Sequence, residues 1–168
     1  ISKCYNTGNL KGCYCGGIVG LWATNATGYT GTVSNCYNTG AISGSYCAGI
    51  IGDYDLVHNN ASNTSYLNII NCYNIGSLSG SSGMYAVAAR GSNSDKAATM
   101  TKCYYLEGLG TSQTGATALN DTMMQKETSY SGFDFDSVWM LDAACEYPYP
   151  QLKENRLTSL PKVTSIEI

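Results

Sequence analysis

Three groups of residues in this chain have the types that chemistry needs, and each falls short in its companions. Cys13-x-Cys15 is half of a thiolate metal site, but no second cysteine pair or histidine at ligand spacing completes a tetrahedral set. His58, the only histidine, stands near Asp53 and Asp55, as a general base stands near an orienting carboxylate. No activated nucleophile accompanies it, and it reads as an idle, solvent-exposed loop residue. Asp134 and Asp136 alternate as two carboxylates on one strand face would, yet a Ca²⁺ site takes more oxygens than these two supply. They read as solvated groups beside the buried pair Phe133 and Phe135. The expectation is a chain without catalytic residue, metal or cofactor.

What recurs instead is a unit. CYNTGNLKGCYCGGIVG at 4–20 returns as CYNTGAISGSYCAGIIG at 36–52, again as CYNIGSLSGSSGMYAVAA from Cys72, and decays after CYYLEGLG from Cys103. Laid side by side, the copies give an aliphatic column (Ile1, Val33, Ile69, Met100), a cysteine column (Cys4, Cys36, Cys72, Cys103), a tyrosine column (Tyr5, Tyr37, Tyr73, Tyr104) and an asparagine column (Asn6, Asn38, Asn74). Neighbours on a strand face opposite sides, so an inward Cys column sends the Tyr column outward. The aliphatic and Cys columns are three residues apart, which breaks period two and requires a bend or bulge between them.

These columns carry physical expectations. The four equivalent cysteines read as buried free thiols, acting as small apolar residues. Cys15 and Cys47 are also equivalent, with Gly83 in that place in the third copy. A bridge between them fits adjacent strands, but parallel side chains oppose it. Stacked Asn amides can hydrogen-bond to one another as a ladder. Two uses are open for the Tyr column: packing against the variable segments, or a stacking surface for sugar rings.

The elements that would position these columns are short. Gly8, Gly40 and Gly76, then Gly12, Gly44 and Gly80, fall where a corner needs positive φ or a second backbone passes closely. Leu10, Ile42, Leu78 and Leu109 lie inward between them, and Ile18-Val19, Ile50-Ile51 and Ala86-Val87 form a further strand, giving three short strands per copy. Segments 21–32, 53–68 and 89–99 vary in length and read as projecting loops, where binding specificity is usually placed. From Thr111 the pattern changes. Residues 118–128 suit a short helix N-capped by Asn120 or Asp121, with Leu119, Met123 and Met124 as apolar contacts. The aromatic, Pro-containing run that follows, through Trp139, Pro148 and Pro150, reads as a cap on the end of the stack. The alternation in 160–168 reads as a strand.

Composition bounds the function. With 43% apolar and 12% charged residues, 19 Gly and 14 Tyr, the chain is a folded β-rich protein. A net charge of −3 without a Lys/Arg cluster argues against nucleic acid or an anionic membrane as partner. No apolar run is long enough for a transmembrane helix and the start is unlike a signal peptide. The chain opens three residues before a repeat Cys and not on Met, as a piece of a longer array would.

CYNTGNLKG with GGIVG, CYNTGAISG with AGIIG, and CYNIGSLSG resemble the GLUG motif, and VW followed by YPYPQL is similar to the segment that often closes GLUG arrays. Tyr85 in place of Gly and Tyr105 in place of Asn depart from the motif. The resemblance implies a β-solenoid region of a bacterial cell-surface or secreted adhesin-like protein, commonly in array with immunoglobulin-like domains, and no catalytic residues.

The expected fold is all-β: a right-handed parallel β-helix (β-solenoid) of about three to four coils over 1–110, a cap with a short helix over 111–156, and a linker or first strand of a following domain over 157–168. Stackable columns need no threefold closure, which disfavours a β-prism or trefoil. The expected function is a non-enzymatic, extracellular, monomeric spacer and adhesive module with a host or matrix protein or glycan as partner. One alternative is a carbohydrate-binding module using Tyr5, Tyr37, Tyr73 and Tyr104. The other is a polysaccharide-active β-helix enzyme, which should carry paired carboxylates or a Lys/Arg set where the copies place Ser, Asn, Thr and Tyr.

Overall fold

The structure, a computed structural model, describes residues 1–24, 30–56, 66–90, 98–142 and 145–157. It is all-β, in separate short sheets. A first sheet takes Tyr5–Asn6, Tyr37–Asn38, Tyr73–Asn74, Cys103–Leu106 and Ala116–Leu119; a second takes Leu10–Cys13, Ile42–Ala48 and Leu78–Tyr85. A third takes Val19–Thr24, Ile51–Leu56 and Ala88–Arg90; a fourth takes Thr30–Ser34, Tyr66–Ile70 and Thr99–Thr101. Every pairing in these four is parallel, in the chain order of the copies.

Sequence-equivalent residues face one another across the strands. Tyr5 pairs with Tyr37, Tyr37 with Tyr73 and Tyr73 with Tyr104, while Leu10 and Leu78 both pair with Ile42. The second and third copies carry four strands where three were expected, because the aliphatic column there has a strand of its own in the fourth sheet. The turn between it and the first sheet is made by Lys3, Asn35, Asn71 and Lys102, all left-handed with φ of 53°, 52°, 52° and 53°. This is the bend that the three-residue spacing demands. Asn tolerates it well; for Lys it costs about 1 kcal/mol.

Third-copy alignment needs one correction. The register shifts between Gly80 and Ser82, so that Ser82 pairs with Ser45 and Met84 with Cys47. Gly83 therefore stands where Tyr14 and Tyr46 stand, not where Cys15 and Cys47 do. Its φ of 62° matches theirs of 56° and 55°. Glycine recurs at the corners chiefly because backbones pass closely: a Cβ added to Gly44 would lie 1.6 Å from the carbonyl oxygen of Gly12, and one on Gly80 would lie 1.8 Å from that of Gly44.

Cys36, Cys72 and Cys103 lie in one apolar core with Val33, Ile50, Ile51, Ile69 and Ala86. Burial pushes the Cys72 thiol well above its ordinary range. Cys4, in the first copy, is exposed. On the same side as the cysteines run the asparagines. Asn6 Nδ2 donates to Asn38 Oδ1 at 2.8 Å, and Asn38 Nδ2 donates to Asn74 Oδ1 at 2.8 Å. Each amide also holds its own turn: Nδ2 of Asn6 and Asn38 reaches the carbonyls of Gly8 and Gly40 at 2.8 and 2.9 Å. In the fourth copy Tyr105 occupies the next position, paired with Asn74.

The remainder departs from expectation in two ways. Ala118 and Leu119, expected at the start of a helix over 118–128, instead belong to Ala116–Leu119, which extends the first sheet by pairing with Cys103–Leu106. The α-helix is only Asp121–Met124, with Asn120 accepting from Met123 N–H at 2.9 Å. The tail also packs beside the first sheet, on its tyrosine side, rather than over the last copy alone. Another edge is finished by one side chain. Gln113 Oε1 accepts from Val87 and Ala88 N–H at 3.1 and 2.9 Å, and its Nε2 donates to the Ala88 carbonyl, so an amide imitates the next strand. The expected strand at 160–168 lies outside the described residues.

Asn38→Ala removes both links of the amide ladder and leaves buried partners unsatisfied on either side. It should cost about 3 kcal/mol in urea denaturation, against about 1 kcal/mol for Asn6→Ala at the exposed end.

Candidate functional site

The tyrosine column is the site that sequence singled out, and its geometry decides what it can do. Rings of Tyr5 and Tyr37 stack at 5.1 Å and 12°, and those of Tyr37 and Tyr73 at 5.1 Å and 1°. Trp139 leans on both inner rings, 6.0 Å from Tyr37 and 5.9 Å from Tyr73, and Phe133 stacks on Trp139 at 4.6 Å. Tyr104 meets Tyr130 and Phe133 edge to face. Tyr37, Tyr73, Tyr104, Tyr130, Phe133 and Trp139, with Leu119, Met124, Tyr147 and Leu152, make a second core, separate from the cysteine core.

Tyr37 and Tyr73 are wholly buried and Tyr104 nearly so; only Tyr5 keeps part of its ring in solvent, at 37%. Of the two uses open for the column, the sugar-stacking one lacks an open ring at three of its four residues. Residues 119–152 of the tail cover the column, while most of the variable segments lie outside the described residues. Where rings stack in a column, each π-face is covered by the next ring, so only edges would be offered even without the tail.

Phenol hydroxyls anchor the tail. Tyr73 donates to the Pro150 carbonyl and shares a 2.7 Å hydrogen bond with the Tyr147 hydroxyl. Tyr104 donates to the Ser131 carbonyl at 3.1 Å, and Tyr130 to the Met124 carbonyl at 2.7 Å. Pro150 cannot donate to a ladder, but its carbonyl is used. Trp139 Nε1–H donates to Asn35 Oδ1 at 3.3 Å, and Lys3 pairs with Glu154 at 2.9 Å, an exposed contact worth little. Gln151, fully buried, accepts from Leu157 N–H at 2.7 Å and donates to the Tyr147 carbonyl at 3.3 Å. Tyr37 differs: its buried hydroxyl has no hydrogen-bond partner among the described residues. Burial raises the phenols of Tyr37, Tyr73, Tyr130 and Tyr147 above the ordinary value.

The other candidates do not assemble. All eight cysteines are free, so Cys15 and Cys47 form no bridge; Cys15 N–H instead donates to Cys47 Sγ at 3.4 Å. Among the described residues no three His, Cys, Asp or Glu side chains converge as metal ligands. Asp134 and Asp136 sit in a turn and not on a strand. Asp134 accepts from Asp136 and Ser137 N–H at 3.0 and 2.9 Å and from the Ser137 hydroxyl, which draws its carboxyl below the usual range. Asp53 is buried in Ile51–Leu56, while His58 and the side chain of Asp55 fall outside the described residues.

Sequence reasoning passed over one aromatic pair. Tyr14 and Tyr46 stack at 5.7 Å and 17°, are 47% and 48% exposed, and hold left-handed backbone conformations that a bulky residue adopts at a cost. Their signal was a tyrosine ten residues after the repeat Cys in two copies, with glycine taking its place in the third.

No protein-family model matches the chain, and neither does any curated protein or solved structure.

Two outcomes follow from the phenols. Tyr37→Phe deletes a buried hydroxyl with no partner and should leave stability unchanged or raise it by up to about 1 kcal/mol; Tyr73→Phe breaks two tail contacts and should cost about 2 kcal/mol, both read by urea denaturation. Separately, below pH ~10 the folded and unfolded phenols are both protonated and stability should not vary on their account. Above it the unfolded chain releases protons that the folded chain retains. Stability should then fall by about 1.4 kcal/mol per pH unit for each buried phenol. Urea midpoints against pH, with phenolate absorbance, measure this.

Proposed function

We propose that the four parallel sheets are the faces of a right-handed β-solenoid of three to four coils over 1–110. The tail, 111–156, closes it, and 157–168 leads on as a linker or first strand of a following domain. Strands from three or four successive copies in every sheet, pairing equivalent residues apart from shifts at Gly80/Ser82 and Ala88/Arg90, support this reading, and connections between parallel strands of one sheet are right-handed in nearly all proteins. Its role is that of a non-catalytic spacer and adhesive module of a secreted or cell-surface bacterial protein, as the GLUG resemblance implies. Partners are a host or matrix protein or a glycan, reached without membrane insertion; among the described residues no helix is long and apolar enough to cross a membrane.

The observation that carries this is how the recurring side chains are used. Cysteines fill the core, asparagines bond to each other along the sheet, and tyrosines anchor the tail. A recurring residue spent on its neighbours is not available to a substrate. The carbohydrate-binding alternative now rests on Tyr14 and Tyr46, the exposed pair.

Glycan-array binding and reducing-end release from polysaccharides test these readings together. The chain should release no reducing ends, and any glycan binding should survive Tyr14→Ala and Tyr46→Ala. Binding abolished by Tyr14→Ala and Tyr46→Ala would replace the proposal with a carbohydrate-binding module, and release of new reducing ends would replace it with an enzyme.

A further inference from the structure

The first copy presents on its free side the same surface that the second copy presents to it. Cys4 is exposed where Cys36 is fully buried, Ile1 is 54% exposed where Val33 is 0%, and Leu10, Ile18 and Val19 are half-buried where Ile42, Ile50 and Ile51 are 0% exposed. The asparagine ladder gives this edge a direction. Each amide donates Nδ2 to the Oδ1 of the following copy, so Asn38 and Asn74 accept from a preceding amide. Asn6 Oδ1 accepts only from Gly8 N–H among the described residues. At the opposite end Tyr105 takes the asparagine position.

Glycine supplies a second, independent observation. A Cβ on Gly40 or Gly76 would collide with the carbonyl oxygen of the equivalent glycine one copy earlier, at 2.0 and 2.1 Å. A Cβ on Gly8 would meet nothing nearer than its own Asn6 side chain at 3.5 Å. Gly8 is thus a glycine at a place where the described residues leave room for a side chain. The room lies where an earlier copy would put its carbonyl.

We infer that the first-copy edge is a docking surface for one further copy of the Cys-Tyr-Asn-x-Gly unit, added in parallel and in register. Asn6 Oδ1 would receive the amide of the added Asn, Gly8 would receive the carbonyl of the added Gly, and Cys4 and Ile1 would become core residues. A second molecule of this chain does not supply that surface. On its last copies Ala116–Leu119 takes the edge of Cys103–Leu106, Thr111 that of Tyr85 and Gln113 that of Val87 and Ala88. Tyr105 stands where a donating Asn would be needed, and two first-copy edges facing each other would set Asn6 Oδ1 against Asn6 Oδ1. The inference stands on the exposed edge, the amide ladder and the clearance at Gly8, and holds whether or not the module is adhesive.

The test tethers a peptide of residues 33–52 to the N-terminus of the full chain through a flexible Gly/Ser linker, and reads thiol labelling of Cys4 by peptide mapping. The expected result is at least tenfold slower labelling of Cys4 than in the untethered chain. Gly8→Ala should restore fast labelling in the tethered protein while leaving the melting of the untethered chain unchanged. Equal labelling with and without the peptide would overturn the inference, as would equal protection by a scrambled peptide. Concentration-dependent protection of Cys4 in the untethered chain would also overturn it, in favour of self-association.

Discussion

Parallel strands in register place each residue about 4.8 Å from its own counterpart, and most of this structure follows from that spacing. A side chain that recurs must be able to bond to itself, stack on itself, or vanish. Asparagine bonds to itself, because its amide carries a donor and an acceptor on one plane. Tyrosine stacks on itself, cysteine packs as a small apolar group, and glycine lets carbonyls pass at distances that no Cβ would survive. Charges fail this test, since like charges directly opposite repel. Among the paired residues of the first and second sheets over the first three copies Lys11 is the one charge, and it faces Ser43.

A ladder has ends, and both kinds of ending are visible. Where the copies stop, the sequence switches to residues that break the pattern: Tyr105 ends the amide ladder, and Gln113 occupies a strand's hydrogen-bonding groups without being a strand. The aromatic tail does something different. Tyr37, Tyr73 and Tyr104 form a continuous greasy face on one side of the first sheet, and burying three such rings is worth several kcal/mol. An end cap would leave that face in water. Running the tail alongside satisfies the rings of three copies at once.

The columns were legible in sequence because identical spacing in successive copies leaves little freedom in register. Their sidedness was legible as well: Cys and Asn on one side and Tyr on the other follow from period two. What covers the Tyr side was not, since alternation says which residues share a face and nothing about which distant segment lies on it. The single extra residue at Ser81 was hidden for a related reason. Ser81 lies in a run of Gly and Ser, where a one-residue slip changes no obvious chemistry, and only Met84 opposite Cys47 reveals it. Ala116–Leu119 went unread because helix propensity in 118–128 outweighed a four-residue strand whose partner is thirteen residues away.

Recognition and repetition make opposite demands on an aromatic ring. A sugar or peptide that stacks on tyrosine needs an open π-face, and a tyrosine that recurs in register closes its face against its own copy. Tyr14 and Tyr46 show this even where solvent reaches them, with rings 5.7 Å apart and 17° from parallel. A ligand on such a ladder is confined to ring edges along its length, or to the outer face of its first ring. The same holds for the amide ladder, whose interior members have spent their donors and acceptors on each other. In a structure of this kind contact chemistry is therefore concentrated at positions that do not repeat and at the first member of each ladder.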